Sequence, residues 1–176
     1  MKNIILSTIF LLSTTLVSAQ GVFDKFENNE SVATVVVSKK MFEMMSKVKV
    51  DAKDKEAQKY MDLLKKLDNL KVFMTSNSKT ANEMKSTVTS YLKSNPLEEL
   101  MRMNDGGRQV KIYVKSGANE NIVKELLMYI EDPSSKDKQA IVMSLTGTFY
   151  LDEISALTEK MNLPGGSELK KASKSK

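Results

Sequence analysis

The chain has 176 residues, 41% apolar and 28% charged, the balance of one globular domain rather than of a disordered polymer. It contains no cysteine, histidine or tryptophan, which excludes disulfides, cysteine nucleophiles, thiolate metal centres and every imidazole-based mechanism. The formal net charge is +5, but only Arg102 and Arg108 are arginine, and much of the excess is Lys170, Lys171, Lys174 and Lys176 at the C-terminus; no nucleic-acid partner is expected.

Residues 1–19 read as a secretory signal peptide. Lys2 supplies a short positive start, residues 4–17 are apolar, and Val17-Ser18-Ala19 puts small residues before the cleaved bond, expected between Ala19 and Gln20. The apolar run is shorter than the ~20 residues of a membrane-spanning helix. No later stretch reaches that length, so no integral span is expected after cleavage. Without a cysteine to carry lipid, the processed chain is expected to be exported and soluble, periplasmic or secreted.

Residues 21–30 open with Val22, Phe23 and Phe26, an apolar turn that packs on the body. Residues 31–38 (SVATVVVS) are β-branched and bounded by serines, which predicts a buried strand. Ser38 then caps a helix whose face is Met41, Phe42, Met44, Met45 and Val48. Residues 51–67 predict a second helix with Ala57, Tyr60, Met61, Leu64 and Leu67 inward. Residues 70–75 alternate as a strand. Ser78 caps a third helix with the stripe Ala81, Met84, Val88, Tyr91 and Leu92, and Pro96 follows its end.

The second half is richer in strands. Residues 97–103 and 109–115 flank Asn104-Asp105-Gly106-Gly107, a hairpin signal. Residues 122–130 are ambiguous: Ile122, Leu126 and Ile130 recur at helical spacing, yet residues 126–130 also form a continuous apolar run. Residues 132–135 are a loop and residues 140–148 a strand. Residues 151–161 form the last helix, with Ile154, Leu157 and Met161 inward, stopped by Pro164-Gly165-Gly166. The order predicts a single α+β domain over residues 20–164, with a mixed or mostly antiparallel sheet and helices packed on one face. Residues 165–176 are expected to be a basic disordered tail, weakly attracted to an anionic membrane surface at most.

The strand-to-helix segment VATVVVSKKMFEMM, the hairpin LEELMRMNDGGRQVKIYVK and the ending MSLTGTFYLDEISAL together resemble domain of unknown function 4252. The resemblance spans most of residues 21–161. It implies an exported protein of a Gram-negative bacterium and a strand at residues 125–131 paired with residues 140–148. It carries no activity, ligand or catalytic residue, and the lipid-bearing cysteine of some members is missing here.

Chemistry-bearing patterns are sparse. Met41, Met44 and Met45, with the pair Met101 and Met103, are soft donors of the kind that suit Cu(I), but methionine also fills irregular cores. The acidic pairs Asp51/Asp54, Glu98/Glu99, Glu131/Asp132 and Asp152/Glu153 would need to face one another across a cleft to hydrolyse a substrate, which sequence adjacency does not supply. Ser90-x-x-Lys93 and Ser135-x-x-Lys138 match a serine–lysine spacing without its companion motifs. Tyr113, beside Lys111 and Lys115, marks a half-exposed sheet face. No catalytic, cofactor-binding or metal-binding residue and no cofactor is assigned. The expectation is a non-enzymatic binding domain of the bacterial envelope whose partner is an envelope protein, a peptide or a lipid-like ligand. A carboxylate or Ser–Lys hydrolase and a methionine-based Cu(I) carrier are the alternatives.

Overall fold

Phe23 and Phe26 fix the start of the described chain. They flank and complete a 3-10 turn, Asp24–Phe26, and each is 1% exposed against the sheet. The computed structural model describes residues 21–119, 121–136, 139–161 and 164–174; the expected signal peptide lies outside them. β1 (Ala33–Ser38) runs directly into α1 (Lys39–Met45), where the Ser38 hydroxyl accepts the Met41 N–H at 3.4 Å. α2 (Lys55–Lys66) starts at Asp54, whose carboxylate accepts the Ala57 N–H at 2.9 Å. Lys65 and Lys66 in its last turn suit the negative end of the helix dipole. β2 (Leu67–Thr75) follows without a loop.

α3 (Ser78–Ser94) is capped by Asn77 rather than Ser78: the Asn77 side chain accepts the Thr80 N–H at 3.0 Å. β3 (Glu98–Asp105) and β4 (Arg108–Ser116) are joined by Gly106 and Gly107 at φ 58° and 95°, the doubly positive geometry that matches strand twist in a two-residue hairpin. β5 (Ile122–Glu131) and β6 (Ala140–Tyr150) pair antiparallel, so the ambiguous segment is a strand. α4 (Leu151–Lys160) and α5 (Gly166–Lys174) end the described chain.

The sheet has six strands in the order β1-β2-β6-β5-β4-β3, and every neighbouring pair is antiparallel. β6 therefore joins the β1–β2 pair to the β3–β4–β5 meander. Alternate strand residues feed two cores. Leu70, Val72, Leu126, Met128, Met143 and Leu145 pack with Phe42 of α1, Leu63 and Leu64 of α2, Ile154 and Leu157 of α4 and Leu169 of α5. Phe73, Leu127, Tyr129 and Val142 pack on the opposite face with Phe23, Phe26, and Met84, Val88 and Tyr91 of α3.

This arrangement corrects three expectations. Helices cover both faces of the sheet, not one, because α3 crosses the face opposite α1, α2, α4 and α5. That double cover explains why β5 reads as an uninterrupted apolar run: both of its sides are buried. β1 is an edge strand, not a buried one, with Val37 its one buried residue. Residues 166–174 are helical rather than a structureless tail; Leu169 enters the core at 1% exposure, and buried Glu168 bonds Arg108 at 2.8 Å.

Candidate binding surface

The two edges of the sheet differ chemically. β3 carries Glu98, Glu99, Arg102 and Asp105 and a register shift between Glu99 and Met101. Charges and bulges of this kind keep an edge from pairing with another strand. β1 reads ATVVVS, with no charge between Ala33 and Ser38, and its register with β2 is unbroken. Val35 and Val36 are 37% and 46% exposed. Pairing with Val72 and Lys71 puts them on opposite faces of the sheet, Val35 on the side of α1.

α1 extends the exposed apolar surface. Phe42 turns inward and Met45 packs partly against the core, while Met41, Met44 and Val48 are 49%, 57% and 61% exposed. The expected single apolar face is thus divided, and Met41 and Met44 fill no core. Lys39, Lys40, Lys47 and Lys49, all exposed, neighbour them in sequence. At the start of β1 a groove opens between residues 30–33 and 74–77.

The other candidate chemistry is dispersed or already engaged. Met101 and Met103 pack on the core from β3, at the opposite edge of the sheet from α1, so the two methionine groups do not converge. Asp54 caps α2, Asp51 accepts the Lys53 N–H, and Glu99 pairs with Arg102 through both carboxylate oxygens. Glu131 holds Lys85, Asp132 closes its own loop on Ser134 and Ser135, and Glu153 takes Lys66 and the Tyr150 N–H. Ser90 and Lys93 both lie on the exposed side of α3, and Lys138 is outside the described residues. Tyr113 is half-buried beside the α3 core and opposite Glu99, not a free surface ring.

A cleft lined by Lys39, Lys65, Lys66, Asp68 and Tyr150 concentrates positive charge. Each of its lysines is held by a carboxylate: Lys39 by Asp68 at 2.9 Å, Lys65 by Asp62 at 2.8 Å and Lys66 by Glu153 at 2.8 Å. The field is neutralised in place. Among the described residues no group of three His, Cys, Asp or Glu side chains could hold a metal ion.

Three buried charges were invisible to pattern reading. Lys71 on β2 is salt-bridged to Asp24 and, at 2.6 Å, to Glu27. Burial pulls its ammonium down, but the two carboxylates more than offset this and its pKa lies above the ordinary 10.5. Glu125 on β5 is pushed above 4.5 by burial, only partly countered by the Tyr91 hydroxyl and Lys115. Burial also pushes Glu168 up, yet hydrogen bonds from Ser167 and its own backbone, with Arg108 nearby, leave it below 4.5. Each joins two elements of the fold and none opens into a described cleft, so this chemistry is structural. The uncharged edge of β1 and the outer row of α1 are exposed and apolar.

The family model for Domain of unknown function (DUF4252) matches residues 26–157. No curated protein and no solved structure matches the chain.

Proposed function

The chain belongs to the DUF4252 family, and from that premise we propose that it is an exported, non-enzymatic binding domain of the bacterial cell envelope whose recognition surface is β1 with α1. The observation that carries the binding half is the exposed, charge-free edge of β1, set against the charged and bulged edge of β3. An edge strand presents a row of backbone donors and acceptors, and proteins that do not use such an edge protect it. The export half is supported by residues 1–19, with their basic start, apolar stretch and Val17-Ser18-Ala19 ending. Among the described residues no helix is long and apolar enough to cross a membrane.

The test uses the full chain with a C-terminal tag in a Gram-negative host. Recovery from the periplasmic fraction with Gln20 as the first residue supports export; retention in the cytoplasm with residues 1–19 attached overturns it. A photo-reactive side chain at Val36 cross-links to polypeptide in the envelope, and the same group at Arg102 on β3 does not. No product from Val36 overturns the binding half.

A further inference from the structure

We propose that the outer row of α1, continued into the turn behind it, docks on the surface of an anionic phospholipid bilayer. This gives the α1 half of the proposed recognition surface its occupant, rests on that reading, and is independent of what lies against β1.

Phe42, fully buried, pins one side of α1 to the core and leaves Met41 and Met44 exposed. Spaced by three, the two methionines share a side of the helix. The chain keeps turning past Met45: the Lys47 N–H bonds the Met44 carbonyl and the Val48 N–H the Met45 carbonyl, each at 3.2 Å. Val48, seven positions after Met41, therefore extends the same apolar row. Lys40 and Lys47 stand four residues before and three after Met44, and Lys49 follows Val48. All three lysines are exposed, and none has an ion-pair partner among the described residues. Lys39, Lys65 and Lys66 close by are each held by a carboxylate. Between Lys39 and Val50 the only acidic residue is Glu43.

Charge and composition select the partner. Protein interfaces favour aromatic residues and arginine and are poor in lysine. The exposed row has no aromatic residue, no arginine and three unpaired lysines. A second copy seated on it would bring like charge against like charge. A bilayer matches it on both counts. The methionine and valine tips enter the edge of the acyl layer, while the lysine stems lie along that boundary and their ammonium groups reach the headgroup phosphates. Anionic lipid strengthens the attachment by about fivefold per lysine near the surface. Contact this shallow is reversible and weakens with salt.

The processed chain, residues 20–176, is floated with vesicles of phosphatidylglycerol and phosphatidylethanolamine, and with vesicles of phosphatidylcholine alone. Binding to the anionic vesicles at low salt is expected, with its loss at high salt and on phosphatidylcholine. Lys47→Glu lowers the affinity by about tenfold or more, and Met44→Asp also lowers it. Lys171→Glu, the same charge change at an exposed position of α5, lowers it far less. The chain has no native cysteine, so an environment-sensitive dye can be placed on Met44→Cys. Its emission shifts to the blue when anionic vesicles are added, and that of the same dye on Ser86→Cys, exposed on α3, does not. Equal losses from Lys47→Glu and Lys171→Glu, or no shift at Met44→Cys, overturn the docking. A shift with polyglutamate and none with vesicles also overturns it and assigns the row to an acidic polypeptide. A shift that grows with protein concentration alone assigns the row to a second copy instead. A cross-link from Val36 without vesicle binding leaves the β1 reading standing, so the two failures are distinguishable.

Discussion

The Tyr91 hydroxyl donates to Glu125 Oε1 at 2.5 Å across the layer between α3 and β5, with both residues buried. Burial of Glu125 raises its pKa above 4.5. A carboxyl whose folded pKa is raised stabilises the fold fully below its unfolded value, and that contribution is lost as pH rises through the folded value. Near neutrality the buried charge therefore opposes folding. Glu125→Gln, which keeps an acceptor for Tyr91, is expected to be more stable than the parent near neutral pH, with the difference vanishing below pH 4.5. Tyr91→Phe strips the carboxylate of its donor and is expected to cost about 1–3 kcal/mol. Urea titrations at the two pH values check both; a destabilised Glu125→Gln near neutrality contradicts the account.

Glu168 titrates with the opposite sign. Its folded pKa is lowered from 4.5, so its contribution is present above that value and is lost as pH falls through the folded pKa. Arg108→Met removes the partner 2.8 Å away and leaves the buried carboxylate only Ser167 and its own backbone N–H as partners. The expected loss is about 1–3 kcal/mol, below the range for a fully buried pair because Arg108 is partly exposed. Amide exchange across α5 reads it: faster exchange there with β4 unchanged supports the contact, and unchanged protection of α5 refutes it.

Lys71 ties the first turn of the described chain to the sheet through Asp24 and Glu27. Its folded pKa is above 10.5, so its contribution is full below pH 10.5 and is lost as pH rises through the folded value. Lys71→Ala is expected to release residues 21–30 and uncover Phe23 and Phe26, at a loss of about 1–3 kcal/mol because the carboxylates can rehydrate. Limited proteolysis near Lys25 checks this. Cutting no faster than in the parent would show that Phe23 and Phe26 hold the turn without the lysine.

Gly147 on β6 passes so close to the end of α2 that an added Cβ would lie 2.5 Å from the Lys66 carbonyl oxygen. Gly147→Ala is expected to destabilise by about 1–3 kcal/mol through forced backbone displacement. Gly106→Asn meets nothing within 4 Å and sits at φ 58°, a conformation asparagine accepts, so it is expected to be near neutral. Thermal melts of the pair separate close approach from turn geometry; equal losses would reject the distinction.

The elements were legible in the sequence because capping and turn residues act locally. Ser38 and Gly106-Gly107 each announce a boundary to which the structure holds, whereas the helix expected from residue 51 starts only at Lys55, behind Asp54. The placement of strands beside one another was not legible. The run Val35-Val36-Val37 reads the same in a covered strand and at an edge, since β-branching records backbone preference and not neighbours. The inner charges failed for a related reason: nothing near Lys71 or Glu125 in sequence reveals Asp24 or Tyr91 packed against the same face of the sheet. α5 was missed because its apolar contact rests largely on Leu169. Asn77 caps α3 one position before the Ser78 that the sequence points to, since either residue type can accept the first free N–H groups. The binding edge was half legible, in its lack of charge but not in its exposure.

The central place of β6 sets an order of events along the chain. Until Tyr150 has been added, β2 and β5 each lack a neighbour, and the β1–β2 pair and the β3–β4–β5 meander share no ladder. Neither piece can close its core by local pairing, because the contacts that unite them span distant stretches of sequence. The six-stranded sheet is thus closed only by its last strand, and shortening the polypeptide before β6 dismantles both halves at once rather than trimming one end.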